Sequence, residues 1–138
     1  MDVSYILDDL NDAQRQAVTS ESKKLLVLAG AGSGKTKVLV HRIAWLIKAL
    51  SSSTHSILSL TFTNKAANEM TGRIEQILDQ PIPEMWCGTF HSISNRLLRR
   101  HYKEAGLEKD FSILDSDDQL RVIKRNLKEL DIDEDQWP

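Results

Sequence analysis

The sequence predicts an α/β protein in which a parallel sheet carries helices on both faces. Three short apolar segments, residues 25–29, 57–62 and 85–88, have the length and composition of buried strands. Each is followed by a segment whose apolar residues recur every three or four positions, which is typical of an amphipathic helix. Because strands that alternate with helices are joined by right-handed crossovers, the three strands are expected to run parallel.

Caps and apolar spacing place the first four helices. The first begins at Asn11, whose side chain can form a capping box with Gln14, and it ends near Val18. The spacing of apolar residues predicts the next three at about residues 34–49, from residue 64 onward, and at 91–105.

The last part of the chain is predicted to be helical as well. Gly106 stands where a helix C-cap is expected. A further apolar run, residues 111–114, precedes Ser116 and Gln119, which predict a second capping box and a final amphipathic helix. The chain then stops at residues 135–138 without a recognisable domain ending, so we expect a truncated piece.

Composition and charge fit one folded domain. The 138 residues are 41% hydrophobic and 28% charged, which is ordinary for a globular protein. The formal net charge is −2, so nucleic-acid binding would depend on local basic patches. The single cysteine, Cys87, excludes an internal disulfide, and the four histidines share no spacing that predicts a structural metal.

No segment predicts secretion or insertion into a membrane. The first residues are acidic and lack the basic and apolar regions of a signal peptide. No run of about 18 apolar residues is present. We therefore expect a cytoplasmic protein without a membrane partner.

A glycine-rich loop between the first strand and the second helix predicts a nucleotide site. Its spacing is that of a Walker A motif, with alanine in place of the usual first glycine: Ala29, Gly30, Ala31, Gly32, Ser33, Gly34, Lys35 and Thr36. Such a loop turns backbone N–H groups and a helix N-terminus toward phosphates. Lys35 is expected to reach the β- and γ-phosphates of ATP, and Thr36 to ligate Mg²⁺. The alternative, a plain turn, does not explain the complete Gly-Lys-Thr ending.

Hydrolysis of a nucleotide would also require a carboxylate that holds Mg²⁺. Asp115 follows the apolar run at residues 111–114, but no glutamate comes after it. Asp115 is therefore either part of a solvated helix start or the metal carboxylate of a small self-contained kinase or ATPase. A third interpretation places the carboxylates beyond Pro138.

Five ordered segments resemble the superfamily 1 DNA helicases of the UvrD type. They are Leu10–Val18, Val27–Thr36, Thr61–Met70, Gly88–Ser92 and Phe111–Gln119. The resemblance covers essentially the whole chain. It implies a RecA-like ATP-binding subdomain at residues 1–110, followed by the truncated start of an inserted helical subdomain at residues 111–138.

The resemblance also implies roles for residues beside the loop. In this family the glutamine that matches Gln14 contacts the adenine, whereas the residues alone favour a purely capping role. Lys37 stands where relatives commonly have an arginine near the base, so its own role is open. Together with residues 29–36, Gln14 and Lys37 complete the predicted nucleotide-binding set.

Two further segments of the resemblance imply contacts with single-stranded DNA. Phe62 is expected to pack against a base, and the backbone contacts are expected from Thr63, Asn64, Thr89 and His91. The residues alone favour plainer roles: a core aromatic for Phe62, an N-cap for Asn64 and a polar helix start for His91.

The function implied by the resemblance is ATP-driven 3′ to 5′ translocation on single-stranded DNA and unwinding of duplex DNA in repair and replication. The expected partners are single-stranded DNA, duplex junctions and DNA-repair proteins, and the oligomeric state is open. The chain lacks the family's Walker B carboxylate motif, arginine fingers and second lobe, so we expect weak nucleotide binding with little or no hydrolysis or unwinding. A non-enzymatic DNA-binding module is the remaining alternative.

Overall fold

A computed structural model describes residues 3–132 of the chain. These residues fall into two compact units, Met1–Leu97 and Leu98–Pro138, which are described separately. The expected truncated ending at residues 135–138 lies outside the described residues. The division into a nucleotide-binding part at residues 1–110 and a helical part at 111–138 stays a prediction, since compactness alone does not assign a function.

From residue 58 onward the first unit alternates strands and helices as the sequence predicts. Short 3-10 turns occupy Ser4–Ile6 and Thr54–Ser56. The regular elements are α1 (Asp12–Thr19), α2 (Lys35–Lys48), β1 (Leu58–Thr61), α3 (Asn64–Leu78), β2 (Trp86–Thr89) and α4 (Phe90–Arg100). The predicted capping box of α1 is confirmed, because Asn11 Oδ1 accepts the N–H of Gln14 and Gln14 Oε1 accepts that of Asn11.

The described residues form a sheet of two parallel strands. β1 pairs with β2 in a register that aligns Leu58 with Trp86 and Thr61 with Thr89. The crossover between the strands is α3, which packs against both of them, while α2 packs against α3 and α1. The second and third predicted strands and their parallel direction are thus confirmed, and each of their bounds differs from the prediction by one residue.

The first predicted strand is not formed, and this prediction was wrong. Residues 25–29 have no strand partner, and Leu26 and Leu28 are 80% and 86% exposed. A strand is defined by hydrogen bonds to a neighbour, and β1 and β2 bond only to each other among residues 3–132. A sheet with helices on both faces, as in a complete RecA-like lobe, therefore remains a prediction.

The hydrophobic core of the first unit lies where α2 and α3 meet the sheet. Ile6, Val40 and Ile74 are fully or almost fully buried in it. Its other members are Ile43, Ala44, Ile57, Met70, Leu78, Ile82 and Met85. This core fixes α2 relative to β1, and so it positions the glycine-rich loop relative to the ends of the strands.

In the second unit, two sequence-based details are corrected. α4 ends at Arg100 rather than near residue 105, because residues 101–107 are bonded as turns, with the N–H of Leu107 donating to Tyr102 O. Gly106 has a φ of +67° and closes this turn, not the helix. The last helix, α5 (Ser116–Glu129), is capped by Asp115, whose side chain accepts the N–H of Asp118 at 2.7 Å, and not by Ser116.

Candidate nucleotide site and adjacent strand ends

The glycine-rich loop forms a compact turn in front of α2. Ser33 closes it, since both its N–H and its hydroxyl donate to Gly30 O, at 3.4 and 2.7 Å. Gly32 and Gly34 have φ angles of +75° and +85°, a left-handed conformation that favours glycine. Gly34 is the N-cap of α2 and provides no side-chain cap, so the first N–H groups of a 14-residue helix face the loop. This arrangement suits an anion.

The Lys35 ammonium folds back onto the loop itself. Its Nζ donates to Ala29 O at 3.0 Å and to Gly30 O at 2.8 Å. Thr36, the second residue of α2, is exposed. A flexible four-carbon side chain can exchange these carbonyls for phosphate oxygens without moving the backbone. The loop residues therefore fit the phosphates of a nucleotide.

Gln14 links α1 to the loop. Besides its part in the capping box, its Nε2 donates to Ser33 O at 3.2 Å, a contact across 19 positions of sequence. A Cβ atom on Gly34 would lie 2.9 Å from that Nε2 and would displace the amide, and the φ of +85° favours glycine at this position. The capping role is confirmed and the side chain also reaches the loop, whereas contact with an adenine stays a prediction.

A cavity of about 370 Å³ lies between α1 and the loop. Apolar groups from Ala17, Val27 and Val38 and polar groups from Asn11, Gln14 and Ser33 line it. Apolar walls with a few polar groups are typical of small-molecule and cofactor sites. This cavity is where the purine of a bound nucleotide would fit.

Lys37 serves the local structure. Its Nζ donates to Asp9 O at 2.6 Å, which ties the segment before α1 to α2. His41 and Arg42, from the same helix, bond in the same way to Ile6 O and Val18 O. These anchors were not predicted from the sequence, because basic side chains at these positions read equally well as a solvated helix face.

The ends of β1 and β2 carry the residues that were predicted to contact DNA. Phe62 follows β1 and is 92% exposed, so the interpretation as a core aromatic was wrong. Thr63, not Asn64, is the N-cap of α3, because Thr63 Oγ1 accepts the N–H of Ala66 at 3.1 Å. Asn64 is left exposed at the first position of the helix. Thr63 and Asn64 therefore lie beside the first N–H groups of α3, which have no acceptor within the helix.

At the end of β2, Thr89 and His91 differ in exposure. Thr89 is buried, and its Oγ1 accepts the N–H of Ser92 at 3.2 Å at the start of α4. His91 is exposed on the first turn of α4. Thr89 is therefore placed to orient this turn, whereas the imidazole of His91 is accessible to a ligand.

A second cavity joins the loop to the end of β1. It measures about 300 Å³, and Lys35 and Thr36 line one side of it. Thr61, Phe62 and Thr63 line another side. The phosphate end of the nucleotide site and the predicted DNA contacts of β1 thus border the same space.

Residues 3–132 contain neither a cluster of metal ligands nor a membrane-spanning helix. No group of three or more histidine, cysteine, aspartate or glutamate side chains in this range could hold a metal ion. Magnesium in nucleotide sites keeps several waters and phosphate oxygens as ligands, so the role predicted for Thr36 does not depend on such a group. No helix of the described range is long and apolar enough to cross a membrane.

Together, the Walker A spacing, the left-handed glycines and the lysine at the start of α2 define a protein with a phosphate-binding loop. Residues 10–138 match the model of the UvrD/REP helicase N-terminal domain, and the chain belongs to that family. The family resemblance predicted from the sequence is confirmed.

Individual relatives agree with this assignment. Over its whole length the chain is 59% identical to DNA helicase II of Escherichia coli (strain K12) and 57% identical to DNA helicase II of Salmonella typhimurium (strain LT2). Over 94% of its length it is 49% identical to the ATP-dependent DNA helicase PcrA of Bacillus subtilis (strain 168). The chain spans 19%, 19% and 18% of these proteins, respectively.

Proposed function

We propose that the chain is the nucleotide-binding N-terminal part of an ATP-dependent DNA helicase. The observation that carries this proposal is the loop at residues 29–36, whose glycines and Lys35 stand at the start of α2 beside a cavity suited to a purine. Relatives that match the whole chain or nearly all of it are named DNA helicase II and ATP-dependent DNA helicase PcrA. The proposal includes translocation from 3′ to 5′, a role in repair and replication and a cytoplasmic location, because the family resemblance implies them.

The residues of the loop bind and orient the nucleotide in this proposal. Lys35 exchanges its bonds to Ala29 O and Gly30 O for the β- and γ-phosphates, and the N–H groups of the loop and of α2 donate to the phosphate oxygens. Thr36 holds Mg²⁺ through its hydroxyl. When bound, Mg²⁺ neutralises the charge that develops on the phosphates during transfer.

Gln14 and the apolar walls of the larger cavity select the base. The Gln14 amide already lies at the loop through Ser33 O, and a carboxamide can donate to and accept from the edge of an adenine. Its Oε1 accepts the N–H of Asn11 in the capping box, so the amide is positioned before the nucleotide arrives. Lys37 contributes indirectly, by anchoring the segment before α1 through Asp9 O.

The ends of β1 and β2 bind single-stranded DNA. Phe62 stacks on a base, Thr63 and Asn64 contact the backbone at the start of α3, and His91 does so at the start of α4. Thr89 supports the contact of His91 indirectly, because its Oγ1 accepts the N–H of Ser92 in the same turn. The cavity shared by Thr36 and Thr63 provides a short route by which nucleotide binding alters the DNA contacts.

In this proposal the chain is one piece of a longer helicase, and the other subdomains of the helicase lie in the rest of that protein. Residues 1–110 form the RecA-like subdomain and residues 111–138 begin a helical one. In its described part, Leu120 and Ile123 of α5 and Leu130, which follows the helix, have exposed apolar side chains. Single-stranded DNA, duplex junctions and DNA-repair proteins are the proposed partners.

Steady-state ATP hydrolysis distinguishes the candidate functions. We expect the 138-residue chain to turn over little or no ATP, with or without single-stranded DNA, because its sequence lacks the family's Walker B carboxylates and arginine fingers. Clear DNA-stimulated turnover by this chain would contradict that expectation. DNA-independent turnover that Asp115→Asn abolishes would favour the self-contained ATPase, since asparagine preserves the cap of α5.

A further inference from the structure

Two phenylalanines occupy equivalent positions just beyond the paired strands. The register aligns Thr61 with Thr89 at the last rung, so the next residue of each strand, Phe62 and Phe90, comes to the same edge. Their ring centroids lie 6.0 Å apart at an interplanar angle of 45°. Nothing in the nucleotide site uses Phe90.

Both rings are far more accessible than phenylalanines in a folded protein usually are. Phe62 is 92% exposed and Phe90 is 52% exposed. Phenylalanine is among the residues that are most often buried, so two adjacent exposed rings form an apolar patch of the kind that marks a binding site. We name this pair the aromatic edge.

The surroundings of the aromatic edge favour an anionic ligand. α3 begins two residues after Phe62, and α4 begins at Phe90 itself, so the positive ends of two helix dipoles lie there. Lys65 adds a positive charge on the first turn of α3, and the exposed imidazole of His91 adds a hydrogen-bonding group on the first turn of α4. Apolar rings flanked by positive groups match the chemistry of single-stranded DNA, with its stacked bases and phosphates.

We propose that Phe90 is a second base-stacking residue, so that the aromatic edge carries two bases of single-stranded DNA. This inference rests on the proposed function and deepens it, because it adds a contact beyond Phe62. Stacking uses only the face of a base, so the platform accepts any sequence, as a translocating protein requires.

The geometry determines how the bases are held. A base inserted between the two rings would need parallel faces about 7 Å apart, twice a van der Waals contact distance. The rings of the aromatic edge are closer than this and tilted, so no base fits between them. Each ring instead supports the other and offers its outer face.

Phe90 is held in place by the tight packing of β2 against α4. A Cβ atom on Gly88 would lie 2.6 Å from Ser92 Oγ and 3.2 Å from Ile93 Cδ1, so glycine permits this approach. Thr89 then bonds to the N–H of Ser92. The backbone of Phe90 is thus fixed before DNA binds, which limits the entropy lost on stacking.

The test measures the affinity of the chain for a fluorescein-labelled oligothymidylate by anisotropy. Phe90→Ala is expected to weaken binding about tenfold, the usual effect of removing one stacking ring. Phe90→Leu is expected to weaken it similarly, because leucine fills the space without offering an aromatic face. The salt dependence of binding should stay that of the wild type, since no phosphate contact is lost.

A double variant separates stacking from mere support of Phe62. If Phe90 stacks on its own base, Phe62→Ala/Phe90→Ala binds more weakly than Phe62→Ala. If the double variant binds as Phe62→Ala does, or if Phe90→Leu binds as the wild type does, the stacking role is overturned. Leu58→Ala, which changes an exposed apolar side chain at the opposite end of β1, is the matched control and should bind normally.

Failure of this inference is distinguishable from failure of the proposed function. Wild-type binding that Phe90→Ala leaves unchanged overturns the stacking role alone. A wild-type chain with no affinity for the oligothymidylate overturns the proposed DNA contacts and the stacking role together. Circular dichroism of each variant reports its folding, which is expected to be retained because half of the Phe90 surface is already exposed.

Discussion

Replacing Lys35 with alanine is expected to weaken the binding of Mg·ATP about ten- to hundredfold. The ammonium lies at the loop, within 3.0 Å of Ala29 O and 2.8 Å of Gly30 O, and can reach phosphate oxygens from there. A hydrogen bond to a charged group contributes roughly 1.5–3 kcal/mol, which corresponds to this loss. Titration with a fluorescent ATP analogue measures the affinity.

Lys48→Ala is the matched control for this variant. Lys48 has the same charge and lies in the last turn of the same helix, where its Nζ donates to Gln80 Oε1. Its removal should leave the affinity for ATP close to that of the wild type. Equal affinities of Lys35→Ala and the wild type would show that the loop does not bind the phosphates.

Replacing Ile74 with alanine is expected to lower the free energy of unfolding by about 2–5 kcal/mol. Ile74 lies on α3 with 0% of its surface exposed, at the centre of the core that joins α2, α3 and the sheet. Truncation removes apolar contacts and leaves a cavity that the surrounding helices fill only partly. Since a domain is stable by only about 5–15 kcal/mol, this is a large fraction of its stability. Urea denaturation measures the loss.

Leu26→Ala is the control for the core variant. It removes the same number of carbon atoms as Ile74→Ala does, from a side chain that is 80% exposed. We expect a change of less than about 0.5 kcal/mol, the usual range for surface substitutions. Similar losses in the two variants would mean that the core is not where the structure has it.

Local features of the sequence predicted most helices and two strands of this fold. The capping box of Asn11 and Gln14 defined the start of α1, and apolar spacing located both ends of α2 and the start of α3 within the usual uncertainty of helix ends. These signals depend on residues that are close in the chain. For that reason they can be read without knowledge of the tertiary structure.

Features that depend on distant partners could not be predicted in the same way. Residues 25–29 have the composition of a strand, but a strand also needs a bonded neighbour, and the described residues provide none for them. The end of α4 at Arg100 depends on turn bonds among residues 101–107. In the cap of α5, Asp115 and Ser116 were both suitable residues, and only the backbone geometry distinguishes them.

The candidate site shows the same difference between features that depend on nearby residues and features that depend on distant ones. The Walker A spacing located the loop, whereas the bonds from Lys35 to Ala29 O and from Gln14 to Ser33 O appear only in the folded chain. The sequence did contain one signal for Phe90, because β1 and β2 are both followed by phenylalanine after a final threonine. That repetition carries meaning only once the register aligns the two strands.

Calorimetric titration of the wild-type chain with Mg·ATP, and in parallel with AMP, tests the central claim most directly. If the loop binds phosphates as proposed, ATP binds and AMP binds at least about tenfold more weakly, because AMP lacks the phosphates that Lys35 and the first N–H groups of α2 would contact. Equal affinities for ATP and AMP, or no binding of ATP, would contradict the assignment of residues 29–36 as a nucleotide site.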